Sequence, residues 1–128
     1  MSSWSDIENL IILRLKQWEK LWNEKNFAEL ETMYTHDCEL VPAGKRSRKG
    51  REGLADFFRA LVSRLNWDRV VMETEAVSQA SEDTVVSKGG FRIFKPDGSP
   101  AAVVDHMVIW KKRDDGYIML FHMFNFDP

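Results

Sequence analysis

The first half of the chain repeats apolar residues at helical spacing and the second half alternates them, so helices followed by strands are expected. Ile7, Leu10, Ile11, Trp18, Leu21 and Trp22 fall on one broad face of a helix running to about Asn23. Its start carries a capping box, Ser5 with Glu8 three residues on. Asn26 with Glu29 repeats that signal and opens a short second helix with Phe27, Leu30 and Tyr34 turned inward. Asp37 to Pro42 reads as a short strand ended by the proline, and residues 43–50 as a polar loop. Leu54, Phe57, Phe58, Leu61 and Leu65 predict a third helix from Arg51 to Leu65.

From Asn66 onward the pattern is that of strands: Val70 to Gln79, Thr84 to Lys95, Val103 to Lys112, and a last one ending at Phe126. Ser81-Glu82-Asp83, Pro96-Asp97-Gly98 and Asp114-Asp115-Gly116 supply the turns between them. Gly89-Gly90 lies inside a strand pattern, where glycine marks a bulge or sharp bend. Long strands bent in this way curl around helices instead of lying flat. The predicted fold is therefore α+β, one domain over residues 1–128, with three N-terminal helices in a highly curved mixed or antiparallel sheet. The last strand is apolar on both faces, Ile118, Leu120, His122 and Phe124 on one and Met119, Phe121 and Met123 on the other. One face covers the helices; the other calls for a homodimer through the sheet, with His122 a candidate to meet the partner.

Composition narrows the functional classes. Hydrophobic residues make up 44% of the 128 positions, with five Trp and eight Phe, enough for a core that needs no disulfide or metal. Net charge is −2, which gives no basic field for nucleic acid. The single Cys38 excludes an internal disulfide and fits a reducing compartment. Leu10 to Leu13 is cut short by Arg14 and Lys16, so neither a signal peptide nor a membrane span is expected, and the expected location is cytoplasmic. His36, His106 and His122 lack metal-ligand spacing. Neither metal nor cofactor is expected.

The order of elements resembles the nuclear-transport-factor-2-like superfamily of cystatin-like cones, which includes ketosteroid isomerases, scytalone dehydratase, SnoaL-like cyclases and kinase association domains. "NFAELETMYTHDCELVPAG" is similar to its second helix and first strand, "GREGLADFF" to its third helix, and "VIWKKRDDGYIMLFHMFNFD" to the final hairpin of SnoaL-like members. The resemblance implies a cone enclosing a small-molecule pocket. The aspartate base of the isomerases falls on Val41, before Pro42, so steroid-isomerase chemistry is not expected. The basic pocket residues of kinase association domains fall on Phe57, Gly89, Val108 and Asn125, none charged.

The resemblance also places a stabilising acid on the strand from Val103 to Trp110, which here reads Asp105-His106. Adjacent strand residues point to opposite faces, so only one can look inward. The register favoured here turns His106 inward with Val104 and Val108; a shift by one would select Asp105. With Glu39 inward beside Val41, Glu39 and His106 form the candidate acid–base pair. The alternative is a His106 bonded to a core hydroxyl and a Glu39 at the solvent edge. Trp18, Trp22 and Tyr34 are candidate pocket walls or plain core, with Phe91 and Met123 as further lining and Asn125 at the mouth. His36 reads as a loop residue. Lys45, Arg46, Arg48, Lys49 and Arg51 put five positive charges in seven residues. They read as a solvated loop, a nuclear-entry signal or a patch steering an anionic ligand to the pocket mouth. Two functions follow: a pocket protein for a mostly apolar small molecule with lyase- or isomerase-like chemistry, or a non-catalytic dimerisation module whose cavity is filled.

Overall fold

The computed structural model describes residues 6–42, 44–114 and 116–126, apart from the side chain at 126. Ser5 of the expected capping box and Asp115 of the last turn lie outside the described residues. The described residues form, in order, α1 (Asp6–Asn23), α2 (Phe27–Glu31), β1 (Tyr34–Pro42), β2 (Arg48–Lys49), α3 (Leu54–Leu65), β3 (Arg69–Gln79), β4 (Thr84–Phe94), β5 (Pro100–Arg113) and β6 (Gly116–Phe126). The strands form one mixed sheet in the order β2-β1-β6-β5-β4-β3. Among the described residues only the pair β1 and β6 runs parallel. Three helices inside this curved sheet make the α+β cone that the sequence predicted.

Local chemistry explains the boundaries. Asn26 caps α2 by accepting the Glu29 N–H, as its spacing with Glu29 implied. Tyr34, expected on that helix, opens β1 instead. The loop 43–50 holds the short strand β2, paired with β1 through Leu40 and Arg48. The third helix starts at Leu54, three residues later than expected, because the Arg51 N–H is still donated to the His36 carbonyl and Gly53 turns with φ of 88°. On α1 the buried stripe is Ile11, Leu15, Trp18, Leu21 and Trp22, narrower than the expected face. Leu10 is 50% exposed.

The sheet curves because its strands carry irregularities. A β-carbon on Gly89 would stand 2.2 Å from the Glu73 carbonyl oxygen, and one on Gly90 2.5 Å from that of Val104. Close backbone approach requires glycine at both, beside the slip in β3 between Thr74 and Ala76. In β6, Trp110 pairs with Met119 and Ile109 with Phe121, leaving Leu120 as an extra residue. That bulge overturns strict alternation. Met119 is buried on the same side as His122 and Phe124, while Ile118 and Leu120 are only half-buried.

Helix α1 closes the outer edge of β3. Asn23 donates to the Val70 carbonyl and accepts its N–H at 3.0 and 2.8 Å, Glu19 accepts from the Met72 N–H, and Trp22 donates to the Asp68 carbonyl. Side chains thus satisfy backbone groups that an edge strand would leave open. Between helices and sheet, Trp18 stacks on Trp22 with centroids 5.2 Å apart, and Phe58 packs edge-on against both.

Candidate functional site

A continuous polar chain crosses this aromatic core, one member from each of four elements. Trp18 on α1 donates its Nε1–H to the Tyr34 hydroxyl on β1 at 3.0 Å. The hydroxyl lies 2.8 Å from Nδ1 of His122 on β6, and His122 Nε2 lies 3.0 Å from Nδ1 of His106 on β5. Donor inventory fixes the protons. Indole only donates, so the Tyr34 oxygen accepts it and passes its own hydrogen to His122 Nδ1. Neutral His122 then carries its proton on Nε2 and donates to His106 Nδ1, which leaves the His106 proton on Nε2.

Burial keeps both rings neutral. It pushes His106 down to about 4, and pushes His122 well below the ordinary imidazole value, with the adjacent His106 adding to the effect. Burial also raises Tyr34, against the indole hydrogen bond that stabilises its anion. The buried polar and charged residues are Thr35, Ser87, His106 and His122, with no carboxylate among them in the described residues. Space on the helix side of this chain is filled, while His106 alone also borders an outer recess of about 150 Å³. Trp18, Trp22, Phe58, Phe91, His122 and Phe124 are among the side chains surrounding a void of about 10 Å³, room for one water at most.

Open volume lies at the mouth of the cone. The second half of α3, the end of β1, the turn into β2 and the end of β6 enclose a cleft of about 350 Å³. Phe57, Leu61 and Leu65 supply its apolar wall from α3, with Pro42 and Phe124 opposite. Leu61 and Phe124 also border the interior void, so they separate cleft from core. Lys45 and Arg48 stand on one rim and Arg64 on the other, with the Arg48 guanidinium 5.0 Å from the centre of the Phe57 ring. The helical repeat of α3 already named Phe57, Leu61 and Leu65 as its inward face; what faces them is space.

The expected site residues part company here. His106 is inward with Val104 and Val108, and Asp105 is exposed on the opposite face. Its partner is the His122 ring, not a hydroxyl. Glu39 does not join it. Leu40 pairs with His122 and Val41 with Met123, so the inward set on β1 is Cys38, Leu40 and Pro42. Glu39 and Val41 are half-buried on the outer face. The register expected from the family resemblance is one residue out: alternation from the inward Tyr34 already turns Cys38, Leu40 and Pro42 inside and Glu39 outside. By the same alternation Met123 and Asn125 lie exposed on the outer face, while His122, assigned to a dimer partner, is buried inside. Trp18, Trp22, Tyr34, Gly89, Phe91 and Val108 are core positions without open volume, and Phe57 alone of the expected lining borders the cleft. His36 sits in β1, exposed, with the Arg51 guanidinium 3.0 Å from its ring. Arg64 and Phe124 were missed. Arg64 belongs to no charge run, and Phe124 was counted only as one of an apolar face. Among the described residues no group of three or more His, Cys, Asp or Glu could hold a metal ion, and no helix is long and apolar enough to cross a membrane.

Comparisons with known proteins agree on the architecture. Residues 15–120 match the family described as SnoaL-like domain. Aln2 from a Streptomyces species superposes with a TM-score of 0.83 at 11% identity, over 98% of this chain and 94% of that one. A ketosteroid isomerase-like protein from Erwinia carotovora atroseptica gives 0.80 at 15% identity, over 98% and 100%. A putative calcium/calmodulin dependent protein kinase II association domain from Xanthomonas campestris gives 0.75 at 17%, over 92% and 86%. At these identities the likeness is one of fold. No curated protein matches the chain.

Proposed function

The chain belongs to the SnoaL-like domain family, and from that premise we propose that it binds a small, mostly apolar molecule in the mouth cleft and not at the centre of the cone. The observation that carries this reading is the contrast in volume. The cleft of about 350 Å³ lies in the range of ligand pockets, and the interior void of about 10 Å³ does not. Binding is favoured over acid–base catalysis by the commitment of the polar chain. Both nitrogens of His122 are bonded within the core, and Glu39 faces away from His106. A second reading rests on a different surface. Val103, Met107 and Met123 are 69%, 39% and 41% exposed on the outer face of the sheet, which favours a homodimer through that face.

Backbone amide resonances test the cleft. Titration with the neutral probe 1-naphthol is expected to shift Phe57, Leu61, Leu65 and residues 44–49 first. Shifts centred on Met107 and Met123 would refute the cleft reading, as would their absence at saturating probe.

A further inference from the structure

The rim of the cleft says what kind of molecule it takes. Six ion pairs connect the described residues, and none uses Lys45, Arg48 or Arg64. Their neighbours are engaged. Arg59, five residues before Arg64 on α3, pairs with Asp56 at 2.8 Å. Arg51 donates to the Tyr34 carbonyl and to the His36 ring. Among the described residues no Asp or Glu lines the cleft. Three cations from two separate stretches of chain therefore border one apolar surface with no counter-charge among the described residues, in a protein whose net charge is −2.

We propose that the ligand is an amphipathic organic anion, an apolar body with one terminal acidic group, the body against Leu61 and Phe124 and the acid between Arg48 and Arg64. This deepens the mouth-cleft reading and rests on it. At about 30 Å³ per water-sized group the cleft accommodates on the order of a dozen non-hydrogen atoms. An anion there gains from low-dielectric apolar walls that strengthen its attraction to the rim. Arginine adds bidentate geometry suited to a carboxylate. The selectivity comes from side chains, because the rim is at the C-terminal end of α3, where the helix dipole disfavours negative charge. Charge on the rim also discriminates. A cationic amphiphile of equal length meets the same walls and three like charges.

Calorimetric titration of the full chain with decanoate, decanol and decylammonium, all below micellar concentration, decides the matter. Decanoate is expected to bind one per chain, at least tenfold tighter than decanol, and to weaken several-fold between 50 and 300 mM salt. Decylammonium should bind weaker than decanol. Arg48→Ala/Arg64→Ala should bring decanoate most of the way down to the affinity of decanol, with a far larger loss for decanoate than for decanol. Equal affinities for the three probes, or indifference of decanoate to the double substitution, would overturn the charge assignment. Leu61→Trp separates the two levels of the argument, since it fills the cleft without touching the rim. If it abolishes all binding while the probes bind equally to the wild type, the cleft reading stands and only the anion preference falls. If it leaves binding intact, or the wild type binds none of the three, both fall.

Discussion

Every hydrogen shared within the buried polar chain is already committed, and a second proton on either imidazole finds no acceptor inside the core. His106 and His122 are 4% and 1% exposed, share one hydrogen bond, and face Trp18, Tyr34, Phe91 and Phe124, while on the outer side His106 borders a shallow recess shared with Asp105 and Lys88. The pH dependence follows in sign. Above about 6.5 the histidines are neutral in both the folded and unfolded chain and contribute no slope. As pH falls from about 6.5 to about 4, the unfolded chain takes up protons that folded His106 refuses, so stability is lost across that window. For His106 alone the loss is on the order of 3 kcal/mol, and His122 adds to it in the same direction. Asp83 acts in a separate window. Hydrogen bonds from Thr84, Ser81 and Lys111 hold it down to about 2, so what it contributes is lost only at more acid pH. Urea unfolding should therefore show stability falling steeply between pH 7 and 4.5. His106→Asn, which keeps an acceptor toward His122, should remove about half of that slope whatever it does at pH 7. A flat profile for the wild type would mean that the native core accepts the protons.

At the scale of elements, glycine placement controls how far the sheet bends. Gly89 pairs with Thr74 on one side and His106 on the other, and a β-carbon there would collide with backbone atoms that cannot rotate away. Gly89→Ala should cost about 1–3 kcal/mol, the range for forced overpacking, measured as a lower urea midpoint; a loss under about 0.5 kcal/mol would show that the strands can separate there. Gly98→Ala is a useful contrast, because its β-carbon meets nothing and only its φ of 88° opposes it. The double glycine was legible in the sequence because glycine weakens a strand interior, and two in a row are tolerated where the backbone must bend or approach closely. So were α1, α2 and α3, whose apolar repeats are long or capped. The facing of Glu39 and Met119 was not. A two-residue period does not say which set faces inward and carries no record of an extra residue, and one bulge at Leu120 reverses every side chain beyond it. The cleft was half legible. Five charges between Lys45 and Arg51 pointed to the mouth, yet Arg51 turns to His36, and Arg64 reaches the opposite rim of the cleft from another part of the chain.

For the whole molecule the outer face of the sheet sets the next constraint. The register places Met107 beside Met123 and Met123 beside Val41, with Ile109 beside Phe121 in the adjoining row. This band runs across β5, β6 and β1. Its margin on β3 and β4 is polar, where Lys88 pairs with Glu75 and Arg92 with Glu73. An apolar centre with a charged border is the anatomy of a protein interface. A two-fold axis through it would bring the band of one copy onto the same band of another, the simplest closed arrangement. Cone mouths are formed by α3 and strand ends, so the proposed interface leaves both clefts open and predicts that ligand binding and association are independent. Light scattering at micromolar concentration should therefore give twice the mass of one chain, with or without decanoate. Met107→Asp with Met123→Asp would set like charges against each other across the axis and bury them. That variant should scatter as a single chain, keep the helical and strand content of the wild type, and bind decanoate unchanged. A wild type that already scatters as one chain at these concentrations would remove the dimer and leave the methionines an exposed patch without a partner.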